Sequence, residues 1–405
     1  MSSSRSTSQR RKRGSASTQS TRPTANTTVT KSTGAYDRNF QQNLIDFGVY
    51  PDAYEYPDGQ IPPLPHNWEV VNQKVAQARP SLSPSQFSDE DFRAFKRADA
   101  NAAKEKQVSE FVIPLIAGKI KDAKCVAGGL PFGNLEHLTD GTLKPGNPDL
   151  YYGARPEKLD RQVRAELSGH IVPSTQDDLP VAPNFFLAAK GPDGSAAVAK
   201  RQACYDGALG ARGMHSLHSY NQNQSEPVYD NNAYTITSIY HNGQLQMYTS
   251  HPAQPGGPGS RPEYYMNQIK GYAMTSDCET FRRGATAFRN LRDWTEERRN
   301  AAILHANEAA NDADETLLTV PASASSFTTE VSSLIAATSL DIDTQSQLRD
   351  SPITQNDVFT NSETAHQESE TSTDELAQDA NPPAKRSSRS RYSRRRKRKQ
   401  EQGSR

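Results

Sequence analysis

The sequence has few of the residues that hold a small secreted protein or a membrane protein together. Its 3 cysteines, Cys125, Cys204 and Cys278, are odd in number and scattered, and they lack the spacing of a metal site. This indicates a reducing compartment rather than a disulfide framework. No apolar run approaches the roughly 18 residues that span a bilayer, and the Ser- and Arg-rich start lacks the apolar segment of a secretory signal. We therefore expect a soluble, intracellular protein with no membrane partner.

Hydrophobic residues are also scarce, at 34% of the chain, and the net charge of zero hides an uneven distribution of charge. Residues 1–33 carry seven basic side chains and no acid, whereas residues 308–379 carry fifteen acids and one base. Residues 385–405 carry eleven bases and one acid. Segments of this composition cannot bury enough apolar surface to offset their chain entropy. We expect long disordered tails at both ends.

These shifts in composition predict five segments. They are a disordered basic arm (1–35), an extended arm packed on the domain (36–86), an α/β domain (87–304), a disordered acidic tail (305–380) and a basic tail (381–405). The central part is long enough for one domain with a hydrophobic core.

Two tight basic clusters lie in the predicted tails. One is Arg10 to Arg13, and the other is Arg394, Arg395, Arg396, Lys397, Arg398 and Lys399. Such runs are typical of segments that bind a nuclear import receptor, and they also attract the phosphates of nucleic acids. A solvated tail with no partner is the alternative for a single cluster. Because a basic cluster lies at each end of the chain, we expect the protein to be in the nucleus and to bind nucleic acid through its tails.

Between the tails, apolar periodicity and turn signals predict alternating helices and strands around a small mixed sheet. A serine-capped helix begins at Ser88, and a long Ala- and Gly-rich helix begins after Ser195. One predicted strand starts at Asp149, and three others cover 183–190, 233–240 and 245–249. A final helix covers 264–299, with arginines on one face. The fold class is therefore α/β, with a small mixed sheet flanked by helices.

Several conspicuous motifs lie between Phe87 and Arg299: PNFF, KGPDGS, RQACYDGALGAR, YDNNAYTITSIYH and YTSHP. With these motifs the chain resembles a fungal family of proteins with a domain of unknown function. That resemblance implies almost no biochemistry.

A remoter resemblance implies more. Glu110 on a helix, Asp149 after Pro148, a strand ending in Lys190, and Gln202 with Tyr205 on the next helix are similar to the PD-(D/E)XK, restriction-endonuclease-like nuclease fold. The resemblance implies catalytic roles for Asp149, Lys190 and Gln202 and a Mg²⁺ cofactor held by Asp149 and Glu110, since Mg²⁺ takes hard oxygen ligands. The chain departs from the pattern at Ala188, where the fold has a second acidic ligand.

Three functions therefore stay open. The first is a nuclear protein with a catalytically degenerate domain that binds nucleic acid or protein. The second is an active Mg²⁺-dependent nuclease with a rearranged site, and the third is a purely structural adaptor. His215 and His218 stand three apart near a helix end, but no third metal ligand is evident, so a structural role is expected for them.

Overall fold

The computed structural model describes residues 32–222, 228–254 and 260–319. Within this part of the chain no helix is long and apolar enough to cross a membrane. The helices are α1 (Asn39–Asp46), α2 (Trp68–Ala76), α3 (Asp89–Asn101), α4 (Glu105–Gln107), α5 (Ile113–Ala117), α6 (Arg161–Glu166), α7 (Ser168–Ile171), α8 (Ala196–His218) and α9 (Cys278–Thr319). The strands are β1 (Val49–Tyr50), β2 (Val126–Ala127), β3 (Leu150–Ala154), β4 (Val181–Lys190), β5 (Thr235–His241), β6 (Gln244–Ala253) and β7 (Glu263–Ala273).

These strands form one seven-stranded mixed sheet in the order β1-β7-β6-β5-β4-β3-β2. β2, β3 and β4 are antiparallel neighbours, and α8 connects β4 to its parallel neighbour β5. β5, β6 and β7 are again antiparallel, and β1 pairs parallel with β7 at the edge. This confirms the predicted α/β class, a mixed sheet flanked by helices.

The two faces of β4 belong to two different cores. All ten of its residues are buried, and successive side chains point to opposite faces of the sheet. Phe185, Leu187 and Ala189 lie in the core that includes α9 residues, and Phe186 and Ala188 lie in the core that includes α8 residues. The backbone of α8 lies close to the sheet, since a Cβ on its Gly210 would come within 2.6 Å of the Phe186 ring. The Ala- and Gly-rich sequence of α8 is what this packing requires.

Three helix starts are capped as their sequences suggest. Ser88 and Asp91 form a reciprocal capping box at α3, and the Ser195 side chain accepts a hydrogen bond from Val198 N at α8. Asp160 accepts one from Gln162 N at α6. Each of these oxygens satisfies a backbone N–H that has no partner within the helix.

Two predicted elements differ from the structure. The single helix predicted over 264–299 is strand β7 followed by α9, which begins at Cys278. Aromatic residues such as Tyr264 and Tyr265 favour a strand, and in β7 they pack on opposite faces of the sheet. The segment 36–86, predicted to be extended, contains α1, β1 and α2. α9 continues to Thr319, past the domain end predicted at residue 304.

Candidate functional site

Asp149 and Lys190 lie side by side at the same end of the adjacent strands β3 and β4. Asp149 immediately precedes β3, and Lys190 ends the adjacent strand β4. The backbone N–H of Ala189 donates to Asp149 Oδ2 at 2.8 Å, and Lys190 Nζ lies 3.8 Å from the same oxygen. The antiparallel register therefore brings together two residues that the sequence places far apart.

A third charged side chain completes this cluster, and it is not the one the resemblance selects. Lys190 Nζ donates to Glu105 Oε2 at 2.9 Å, and Glu105 is the first residue of α4. Gly191 makes the contact possible, because a Cβ there would lie 2.8 Å from the Glu105 backbone nitrogen. The glycine turn after Lys190 is the sequence signal for this close approach, but the sequence does not say which segment approaches.

Glu110, the predicted metal ligand on the helix, lies outside this cluster. Its carboxylate is 3.9 Å from Lys106 Nζ, and its side chain is 49% exposed. Val108 and Val112 on either side of it are buried in the core. The π-helical turn over 108–112 therefore turns its valines inward and Glu110 towards solvent.

Ala188 lies where the fold pattern has its second carboxylate. Leu150 pairs with Leu187 in the register of β3 and β4, so Asp149 lies opposite Ala188 one step along the ladder. The Ala188 methyl is buried in the apolar cluster that includes Ala199 and Ala203 of α8. Asp149 and Glu105 remain as oxygen ligands, with Lys190 near both. Among the described residues, no group of three His, Cys, Asp or Glu side chains is arranged to hold a metal ion.

Helix α8 adds two polar side chains, the half-buried Gln202 and the buried Asp206, one turn apart on one face. Gln202 Oε1 and Asp206 Oδ1 are both buried without a hydrogen-bond partner. A Cβ on Gly146 would lie 2.5 Å from Asp206 Oδ1, so the chain passes directly over this carboxyl. Asp206 was not predicted. An acid within the Ala- and Gly-rich stretch of α8 was the available signal. Tyr205, between them in sequence, packs edge-on against Phe40, with their ring centroids 5.8 Å apart.

Burial governs the protonation of this cluster. It raises the pKa of Asp149 to about 7, with Lys190 opposing the shift and Glu105 adding to it. Burial likewise raises the pKa of Asp206 well above its usual range, and the charge of Asp149 adds to this effect. Although burial opposes it, the carboxylates of Asp149 and Glu105 raise the pKa of Lys190. The cation is thus paired inside the protein, and burial favours the protonated form of Asp206.

The arginines of α9 have mainly structural contacts. Arg289 donates to the carbonyls of Leu115 and Ile116, and Arg292 donates to that of Ala117. Arg299 is 3% exposed and donates to Asn184 Oδ1 and to the Tyr152 carbonyl. Arg289, Arg292 and Arg299 therefore hold α9 to the rest of the domain, whereas Arg283 and Arg298 of the predicted cationic face are exposed. The basic clusters at residues 10–13 and 394–399 lie outside the described residues.

Comparison with known proteins gives a family but no activity. Neither the curated proteins nor the solved structures compared with the chain gave a significant match. One family model, for a domain of unknown function (DUF7924), matches residues 98–306, just over half of the chain. The match extends from within α3 to within α9 and includes Glu105, Asp149, Lys190 and Asp206. The chain therefore belongs to the DUF7924 family.

Proposed function

We propose that this chain is a nuclear nucleic-acid-binding protein whose α/β domain is related to the PD-(D/E)XK nuclease fold but no longer cleaves. Two observations support the relationship. Asp149 and Lys190 lie at the ends of adjacent strands, with Lys190 Nζ 3.8 Å from Asp149 Oδ2. The helix that follows β4 carries Gln202, whose side-chain oxygen is buried. Both match the order of residues on which the resemblance rests.

The proposal that cleavage is lost rests on the methyl group at position 188. Mg²⁺ prefers several hard oxygen ligands in near-octahedral geometry, and the strand that should supply the second carboxylate presents Ala188 to a dry core. Lys190 is already paired with Glu105 at 2.9 Å. A phosphate entering this site would have to displace that carboxylate before it could bind the lysine. Both features favour a domain that has kept the arrangement of a nuclease without its chemistry.

The terminal charges support binding to nucleic acid. The last 21 residues carry eleven bases and the first 33 carry seven, and each Lys or Arg that neutralises a phosphate releases counterions. Within the described domain, Arg289, Arg292 and Arg299 of α9 donate to backbone carbonyls of other segments. We therefore assign the affinity to the tails.

Cleavage and binding assays on the full-length protein test this proposal. With labelled single- and double-stranded DNA and RNA, we expect binding that weakens steeply with salt and no cleavage dependent on Mg²⁺ or Mn²⁺. Asp149→Asn should leave binding unchanged, as should Asp178→Asn, a matched change at an exposed site. Metal-dependent cleavage that disappears in Asp149→Asn but persists in Asp178→Asn would refute the loss of activity.

One observation favours the second candidate, an active nuclease with a rearranged site. Asp206 Oδ1 and Gln202 Oε1 are buried oxygens without partners, and the charge of Asp149 acts on Asp206. In such a site Asp206 or Glu105 would replace the carboxylate missing at position 188. The same assay distinguishes the candidates, because metal-dependent cleavage by the wild-type protein supports the active nuclease. Its loss in Asp206→Asn or in Glu105→Gln then identifies the carboxylate that replaces the missing one.

A further inference from the structure

A cavity of about 300 Å³ lies at the opposite end of α8 from Lys190. The last turns of α8 supply Met214, His215 and His218, the segment before β5 supplies Asp230 and Tyr234, and α9 supplies His305. A helix rises about 1.5 Å per residue, which separates Ser195 from His218 by roughly 35 Å. The cavity is therefore distinct from the Asp149 cluster. Its size is at the lower end of the range for ligand pockets.

The charge of the cavity has one sign. Of the described residues that line it, Asp230 is the acid, and none is Lys or Arg. Asp230 accepts hydrogen bonds from Tyr234 Oη at 2.6 Å, from Asn232 N at 2.9 Å and from Asn232 Nδ2 at 2.9 Å. Asp230 lies at the exposed rim of the cavity. Although the loss of part of its hydration opposes it, these bonds hold the pKa of Asp230 below its usual range. The carboxylate is thus ionised, and three of its roughly four acceptor positions are occupied.

The imidazoles beside Asp230 are neutral at pH 7. Burial lowers the pKa of His215 to about 4 and also lowers the pKa of His218. Ring contacts fix both side chains, since His215 stacks on Tyr229 at a centroid distance of 4.2 Å and His218 lies 4.5 Å from Tyr234. A neutral imidazole keeps one nitrogen as a hydrogen-bond acceptor. These rings add acceptors without adding the positive charge that would repel a cation.

The remaining lining is mixed. Ala211, Met214, Val228 and Pro252 are apolar, and Ser219, Gln222, Asn232 and His305 are polar. Met214 is 1% exposed and Ala211 2% exposed, so part of the wall is buried and apolar. Inorganic cations such as Mg²⁺ and Ca²⁺ take about six or more oxygen ligands, and Asp230 is the one carboxylate among the described residues of this lining. An aromatic or aliphatic body suits these walls.

We propose that this cavity binds a small organic cation with a flat, apolar body, with Asp230 as its counter-ion and His215 and His218 accepting hydrogen bonds from its N–H groups. The site goes beyond the proposed nucleic-acid binding and does not depend on it. Amidinium compounds represent this class, because their N–H donors lie on one edge of a planar group.

Titration calorimetry with benzamidine, and with its neutral analogue benzamide, tests the site in the full-length protein. We expect benzamidine to bind at least tenfold more tightly than benzamide and to shift the ring signals of His215 and His218 in NMR spectra. Asp230→Asn, which keeps the size of the side chain, should weaken benzamidine binding at least tenfold, whereas the exposed Asp178→Asn should not change it. Equal binding of the two compounds, or no benzamidine binding by the wild-type protein, would overturn the proposal, and the wild-type comparison holds even if Asp230→Asn unfolds.

Discussion

At the scale of single residues, Asp149 shows which effect dominates in the candidate site. The Ala189 N–H and the Lys190 ammonium both stabilise its charged form, but burial raises its pKa to about 7. Loss of hydration therefore changes the pKa of Asp149 more than one hydrogen bond and the Lys190 cation at 3.8 Å do together. That cation is also paired with Glu105.

This shift makes the stability of the protein depend on pH. The folded pKa of Asp149 is above its ordinary value of 3.8, so the folded state binds more protons than the unfolded state between about pH 4 and 7. The stabilisation is complete below pH 4 and is lost as the pH rises through 7. We expect this loss to be about 4 kcal/mol, at about 1.4 kcal/mol for each difference of one between the folded pKa of about 7 and the ordinary value of 3.8.

Urea denaturation between pH 4.5 and 8 measures this loss. Asp149→Asn should reduce the slope of the unfolding free energy against pH, whereas Asp178→Asn should leave it unchanged. Asp206 acts in the same direction, so part of the slope should persist in Asp149→Asn. An unchanged slope in Asp149→Asn would show that Asp149 is ionised in the folded protein throughout this range.

Lys190 is expected to stabilise the fold, because it neutralises two carboxylates while it is itself 2% exposed. Lys190→Met would leave Glu105 and Asp149 without their cation, which typically costs about 3 kcal/mol or more. Lys200→Met, at an exposed position on α8, should change the unfolding free energy by less than about 0.5 kcal/mol. Similar losses for the two variants in chemical denaturation would contradict a buried ionic cluster.

Part of this site could be predicted from sequence and part could not. A Pro-Asp at a strand start and a lysine at a strand end are local signals, and the sheet brings these two residues together. Glu105 depends on how closely the turn at Gly191 approaches α4, which is a tertiary contact. Apolar periodicity does not show which carboxylate of a short helix faces inward. It therefore does not reveal that the π-helical turn leaves Glu110 outside the cluster.

At the scale of elements, α9 shows why a charged helix can be misread. Its arginines resemble an exposed cationic face in sequence, yet Arg289, Arg292 and Arg299 donate to carbonyls of other segments. β7 does not alternate strictly between apolar and polar residues, and its pairing with β6 shifts register between Met247 and Tyr248. Sequence period alone does not resolve a strand with such an irregularity.

Neighbouring arginines on α9 provide a matched test of this structural role. Arg299 is buried against Asn184 and the Tyr152 carbonyl, whereas Arg298 is exposed. Arg299→Met should lower the unfolding free energy by about 3 kcal/mol, because it leaves buried acceptors without a donor. Arg298→Met should change it by less than about 0.5 kcal/mol. Equal effects in urea denaturation would mean that the hydrogen bonds of Arg299 contribute little.

At the scale of the whole molecule, composition predicts where the folded part lies. The described residues, 32–222, 228–254 and 260–319, include the segments whose apolar content is high enough for a core. Residues 1–31 and 320–405, which contain both basic clusters, lie outside the described residues, so the roles of the charged tails stay predictions.

Localisation and salt dependence test the tails together. Replacing Arg10 to Arg13 and Arg394 to Lys399 with glutamine in the full-length, fluorescently tagged protein should shift it towards the cytoplasm. The same variant should bind DNA and RNA more weakly and with a shallower salt dependence, because each basic side chain that no longer neutralises a phosphate of duplex DNA reduces the slope by about 0.9. If the variant stays fully nuclear and the salt dependence of its binding is unchanged, the tails neither direct the protein to the nucleus nor supply its nucleic-acid-binding surface.

The central claim is that a methyl group at position 188 has replaced the carboxylate that a nuclease-like site needs. Ala188→Glu would place a carboxylate opposite Asp149 on the adjacent strand, so that one ion would contact both carboxylates. Because an unpaired carboxylate in a dry core is costly, the variant should be less stable without Mg²⁺ and should regain stability when Mg²⁺ is added. Thermal unfolding with and without the ion checks that it folds.

Calorimetric titration of Mg²⁺ into the wild-type protein, Ala188→Glu and Ala188→Glu/Asp149→Asn measures the claim most directly. The account predicts that the wild-type protein shows no Mg²⁺ binding that depends on Asp149. It predicts that Ala188→Glu binds Mg²⁺ measurably and that the double variant loses this binding. Wild-type binding of Mg²⁺ that Asp149→Asn abolishes, or a folded Ala188→Glu protein that binds no Mg²⁺, would contradict it.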